Sequence, residues 1–176
     1  HAHQARAFER LGAAEPKPTL VATGTGSGKT ECFMYPLLNY CAGTPGVGVK
    51  AIVIYPMNAL ATDQASRFAK SIASDPQLHG KVTVGLFVGD SEEFPSKRMG
   101  ADSVITCKHT LRENPPDILL TNYKMLDYLL MRPIDQPLWR YNLPGTLRYL
   151  GVGEGLTWDG AQGWDLGCVG RRLKDP

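Results

Sequence analysis

Between Thr23 and Thr30 the chain reads TGTGSGKT, glycine at every second position from 24 to 28 and then a lysine and a threonine. Gly24, Gly26 and Gly28 let the backbone turn so that successive N–H groups, with Thr25 and Ser27 between them, face one anion. Lys29 adds a point charge suited to β- and γ-phosphates, and the Thr30 hydroxyl is a ligand type for Mg²⁺. The strict pattern GxxxxGK[ST] asks for glycine where this chain has Thr23. An ordinary glycine-rich turn is the bland alternative, but it gives no reason for Lys-Thr to open a helix at that point. The stretch therefore predicts a cradle for nucleotide phosphates.

A second chemical position is Glu154, an acid between Gly153 and Gly155 that follows the mostly apolar run Leu147 to Leu150. An acid at the end of a buried strand is where a nucleotide-hydrolysing enzyme keeps its metal and its base. Such a site ordinarily uses two adjacent carboxylates, and here there is one. Glu154 is the candidate for both roles, with Thr30 as the other metal ligand and Lys29 as the catalytic cation.

The elements that must position these groups are legible in the spacing. Five short apolar runs read as strands: TLVATG (19–24), AIVIYPM (51–57), VTVGLFVGD (82–90), DILLTN (117–122) and LRYLGVG (147–153). Helical periodicity lies between them, over Thr30 to Tyr40, Asn58 to Ser74 and Tyr123 to Met131. Strands alternating with helices predict an α/β fold with a parallel sheet covered on both faces, whose ligands bind at the carboxyl ends of the strands. The segment Ser91 to Pro116 is read as a long surface excursion carrying at most a short helix.

Composition bounds the remaining possibilities. The 176 residues, 43% of them apolar, suffice for one domain with a sizeable core. A net charge of +2 neither requires nor excludes nucleic acid. Cys32, Cys41, Cys107 and Cys168 form no CxxC pair, which argues against structural zinc and predicts reduced thiols of a cytoplasmic protein. No apolar run approaches the roughly 20 residues needed to cross a bilayer. The chain opens on His1 and closes on RRLKDP, and is read as a piece of a longer polypeptide.

With these stretches in order, the chain resembles superfamily 2 helicases of the DEAD/DEAH-box type, specifically their first RecA-like P-loop domain, over nearly its whole length. TGTGSGKT resembles motif I, where a first residue other than glycine is common; YPMNALATDQ (55–64) resembles motif Ia; VGD (88–90) the glycine-containing motif after the next strand; PPDILLTNYKML (115–126) motif Ib. HQARAF (3–8) resembles the adenine-reading Q-motif region. YPMNALATDQ together with DGAQGWDL (159–166) is most similar to DNA helicases related to Lhr and the Hrq group.

The resemblance implies ATP and Mg²⁺ as cofactors, Gln4 as the adenine contact, and Thr23 to Thr30 as the phosphate site. It implies a single nucleic-acid strand as partner, DNA rather than RNA, met by Pro56, Asn58, Ala59, Gly89, Asp90, Thr121 and Asn122 without reading bases. For Asn58 and Asn122, helix capping is a compatible second role, because each precedes a helical run. Lys97, Arg98, Lys108 and Arg112 are read either as an extension of the basic track or as a solvated face, and Trp139, Trp158 and Trp164 as packing residues before base-stacking ones. The family's Asp-Glu-x-His of motif II falls on Gly153, Glu154 and Leu156. Docking of nucleotide with crippled hydrolysis is the consequence, in a domain that lacks its second RecA-like partner. A P-loop NTPase of another kind and a non-catalytic binding module stand as alternatives.

Overall fold

The computed structural model describes residues 2–13, 28–89 and 92–153. The strand expected at 19–24 and everything expected beyond Gly153 lie outside these residues. The chain divides into two compact units, His1–Pro45 and Gly46–Pro176. The first holds helix α1 (Ala2–Leu11) and helix α2 (Lys29–Gly43), packed on one another. Phe8 and Tyr35 meet edge-to-face there, with ring centroids 6.2 Å apart. The α2 helix buries Cys32, Met34, Leu37, Leu38 and Cys41, and it runs through Pro36. Helix α1 was not expected from the sequence, where its short run of alternating small and polar residues carries few large apolar groups.

The second unit is built on a four-stranded, all-parallel sheet. Its strands are β1 (Ala51–Tyr55), β2 (Val84–Phe87), β3 (Ile118–Asn122) and β4 (Tyr149–Val152), in the order β2-β3-β1-β4. All five residues of β1 are buried, as a strand covered on both faces requires. Helix α3 (Asn58–Ser74) packs across β1, β2 and β3 through Ala61, Ala65, Phe68, Ala69 and Ile72, a stripe at helical spacing. A separate core joins Ile52, Ile54, Leu119 and Phe87 to Leu111 of α4 (Lys108–Glu113), to Leu126 and Leu129 of α5 (Tyr123–Met131), and to Leu138. Since side chains alternate along a strand, α3 covers one face of the sheet while α4 and α5 cover the other. The α/β layering expected from the sequence is therefore present, and α3 and α5 have the expected limits.

Among its described residues the excursion after β2 contains α4, and Ile105 returns to form a parallel bridge with Gly85 of β2. A 3-10 helix, Pro133–Trp139, follows α5 and was not expected. Its Asp135 is fully buried and accepts from Arg112 Nη2 at 3.0 Å and Arg132 Nε at 2.8 Å. Arg112, for which the sequence offers either a basic track or a solvated face, is held by a buried carboxylate, and with Lys108 it also lies 5.5 Å from the centre of the Phe87 ring. Trp139 packs against the core, its indole N–H donating to the Leu129 carbonyl at 2.9 Å. No helix among the described residues is long and apolar enough to cross a membrane.

Candidate nucleotide and nucleic-acid sites

In the first unit the chemistry converges on the start of α2. Gly28 precedes the helix with φ 75° and ψ 34°, left-handed backbone that glycine adopts without cost. Gly28 at the cap position has no side chain to offer α2, whose first turn presents the positive end of a 15-residue helix. Lys29 and Thr30 are its first two residues, Lys29 partly exposed and Thr30 buried at 6% exposure. Gln4 reaches from α1 and donates from Nε2 to the Gly28 carbonyl at 3.2 Å. A Cβ at residue 28 would overlap that Gln4 amide and stand 3.2 Å from the Glu31 carboxylate. Glycine is thus favoured here by its dihedral, and a side chain would also displace the Gln4 amide. Cys32, one turn into the helix, has its thiol pKa raised by burial and then by the neighbouring Glu31 charge.

These residues fit a nucleotide phosphate: a helix amino terminus, a left-handed glycine feeding it, and a lysine and a threonine in its first turn. Thr23 to Ser27, the rest of the expected cradle, lie outside the described residues, as does Glu154.

In the second unit the expected strand-contacting residues gather at the carboxyl ends of β1, β2 and β3. Pro56 and Asn58 are half-buried, and Ala59 is exposed where α3 begins. Met57 holds the cap position of α3, and no side-chain cap bond is made there. Gly89 is exposed after β2, with the Met125 methyl 3.7 Å from where its Cβ would be; Asp90 lies outside the described residues. Thr121 departs from expectation. It is fully buried, and its hydroxyl donates to the Phe87 carbonyl at 2.6 Å, so it ties β3 to β2 rather than facing a ligand. Asn122 caps α5, accepting from the Met125 N–H at 2.7 Å, while its Nδ2 donates to Asn58 Oδ1 at 2.8 Å. Asn58 itself is the first residue of α3 rather than its cap. The Asn58–Asn122 bond was not foreseen, because 64 residues separate its ends and only the parallel register of Tyr55 with Asn122 brings them level.

At the end of β4, Gly153 is buried and its N–H donates to the Ile54 carbonyl at 2.7 Å. A Cβ there would overlap two ring carbons of Tyr55. Gly151, two residues earlier, would accept a Cβ at ordinary contact distance, 3.6 Å from Val53. Among the described residues no group of three or more His, Cys, Asp or Glu side chains is placed to hold a metal ion.

The order of these elements, helix-opening Gly-Lys-Thr, parallel sheet and turns at the strand ends, is matched by a family model. That model, DEAD/DEAH box helicase, covers residues 1–143. The chain belongs to the DEAD/DEAH box helicase family. Its α/β sheet is accordingly the RecA-like sheet of that family, and a P-loop NTPase of another kind is set aside. This helicase domain is 26% identical to the Druantia protein DruE of Escherichia coli, over 76% of the chain and 12% of the relative. It is 32% identical to the ATP-dependent RNA helicase DBP10 of Candida albicans, over 58% of the chain and 12% of that protein. The helicase domain thus spans about an eighth of the length of either relative.

Proposed function

We propose that this chain is the ATP-binding part of the first motor domain of a nucleic-acid helicase or translocase. The observation that carries the reading is the start of α2, where left-handed Gly28 is followed by Lys29 and Thr30 and its carbonyl is held by Gln4. On this reading residues 1–176 form one RecA-like domain of a larger protein, completed by a second RecA-like domain of the same polypeptide. Gln4 contacts adenine, and Thr23, Gly24, Thr25, Gly26, Ser27 and Gly28 wrap the phosphates. Lys29 neutralises the β- and γ-phosphates, and Thr30 with Glu154 holds Mg²⁺. Bound ATP supplies the phosphoanhydride whose cleavage powers movement. Phosphates of a single strand meet the amino terminus of α3 at Asn58 and Ala59, with Pro56 and Gly89 beside it and Asp90 as a further contact; Thr121 and Asn122 support these turns. The strand is DNA, on the resemblance of YPMNALATDQ and DGAQGWDL to DNA helicases, and the protein works in the cytoplasm.

Gly153 supports a second reading, a nucleotide- and strand-binding module with hydrolysis impaired. It stands where the family's metal-holding aspartate belongs, and loss of such a carboxylate removes several kcal/mol of transition-state stabilisation. Calorimetry with ATP tests the shared part: the parent chain binds and Lys29→Ala does not. Equal affinity of the two chains overturns the cradle. Fluorescence anisotropy with unrelated single-stranded DNA and RNA tests the other half. Sequence-independent binding that weakens steeply with salt is expected. A single preferred sequence, bound equally at low and high salt, argues against a helicase.

A further inference from the structure

We propose that this chain binds nucleotide without anchoring a divalent ion, so that its affinity for ATP is nearly the same with and without Mg²⁺. This independence rests on the second reading above, in which Gly153 stands at the position of the family's metal-holding aspartate. One step past the paired residues Ile54 and Val152, Tyr55 of β1 stands beside Gly153. Gly153 is buried, and its N–H donates to the Ile54 carbonyl at 2.7 Å, which holds it against β1. A Cβ at 153 would overlap two carbons of the Tyr55 ring and lie 3.3 Å from the Ile54 carbonyl oxygen. Tyr55 is among the largest fully buried side chains, so its ring is enclosed by neighbours and has no open space to retreat into.

Gly151 of the same strand is different, since a Cβ there would meet Val53 at an ordinary 3.6 Å. The ring therefore covers position 153 in particular. A ring laid over a glycine of the neighbouring strand fills the volume a side chain would take, and here it puts an apolar group where a carboxylate would stand. Mg²⁺ is a hard cation that takes oxygen from one or two carboxylates as well as from the phosphates. An aromatic ring brings no anionic oxygen. Among the described residues no group of three or more His, Cys, Asp or Glu is placed to take over that task. The end of β4 thus does not fit an ion anchored by the protein. Thr30 and Glu154 meet the ion only as part of the nucleotide's own chelate, and the grip on the phosphates comes from Lys29 and the start of α2. Linkage adds a reciprocal consequence: ATP bound to this chain holds Mg²⁺ no more tightly than free ATP does.

Calorimetry with ATP, in excess EDTA and in saturating magnesium chloride, tests this on the full chain. The two affinities of the parent are expected to agree within about fivefold. The double variant Tyr55→Val with Gly153→Asp clears the ring and supplies the carboxylate, so its affinity rises with Mg²⁺ by more than that factor, whereas Tyr55→Val alone behaves as the parent. Should the double variant not fold, Mn²⁺ titrated into the parent gives a second measurement. Its free-ion electron paramagnetic resonance signal falls no further with the parent–ATP complex than with the same amount of ATP alone. A parent that binds ATP in neither condition overturns the nucleotide reading and this inference with it. A parent that binds ATP more than fivefold tighter with Mg²⁺, or a complex that takes up extra Mn²⁺, overturns the metal independence alone. A folded double variant that stays indifferent to Mg²⁺ overturns the part given to the ring.

Discussion

On the proposed reading, Gly153 stands at the position that decides hydrolysis, and its surroundings add a condition that spacing alone does not reveal. The ring of Tyr55, itself 1% exposed, occupies the space a side chain at 153 would need. Restoring the family's carboxylate therefore requires that ring to swing aside. Gly153→Ala is expected to destabilise the chain by about 1–3 kcal/mol through overpacking, and adding Tyr55→Val recovers part of the loss; urea melts of the three variants measure both. In a fusion to an intact relative's remaining motor, Gly153→Asp raises strand-stimulated phosphate release, and more so with the smaller residue at 55. An unmutated fusion that already turns over as fast contradicts the reading of Gly153. Gly28 shows the opposite relation between residue and neighbour. There the absent side chain is filled by Gln4, whose bond to the Gly28 carbonyl links the expected adenine contact to the expected phosphate cradle. The sequence marks both glycines by motif position, but the neighbour that enforces each comes from a distant part of the chain.

Among the elements, α3 and α5 have the limits their periodicity implies, because both combine a clear apolar stripe with a strand end immediately before them. The strands are shorter than their apolar runs: β2 covers Val84–Phe87 within a run that extends from 82 to 90. Apolar residues continue past the last ladder bond, so hydropathy overstates strand length. Thr121 illustrates a further limit. A threonine at a strand end looks the same in sequence whether its hydroxyl faces a ligand or a neighbouring carbonyl, and here it faces Phe87. Thr121→Val is expected to cost about 1 kcal/mol of stability from the lost buried hydrogen bond. Strand affinity, measured by anisotropy, should stay within twofold of the parent. A larger loss of affinity at unchanged stability returns Thr121 to the binding surface. The thiol of Cys107, just before α4, has its pKa lowered by a hydrogen bond with the Thr110 side chain, whereas burial raises that of Cys32. Alkylation followed over pH therefore labels Cys107 at lower pH than Cys32.

Across the sheet-bearing unit, the amino ends of three strands are tied by one carboxylate. Asp117, before β3, pairs with the buried Lys50 before β1 and accepts from the Thr83 N–H, before β2, at 3.0 Å. Lys50 lies outside the motif-like stretches, whereas Asp117 belongs to PPDILLTNYKML. Lys50→Met is expected to cost about 3–5 kcal/mol, since it leaves the Asp117 charge uncompensated. Removing both charges, with Lys50→Met and Asp117→Asn together, costs less than the single change, and denaturant melts separate the two outcomes. A single change as mild as the double one shows that the pair does not hold the sheet. Hydrophobic period and turn chemistry, both local properties, were enough to read a parallel α/β architecture, and the helicase family was legible through the resemblance of its motif stretches. Strand order, the burial of Thr121, the ring over Gly153, the Asn58–Asn122 bond and the Asp117 tie were decided in three dimensions. Each of these joins residues far apart in the chain, and only the register of neighbouring strands and the packing of helices on them determine which side chains come within reach.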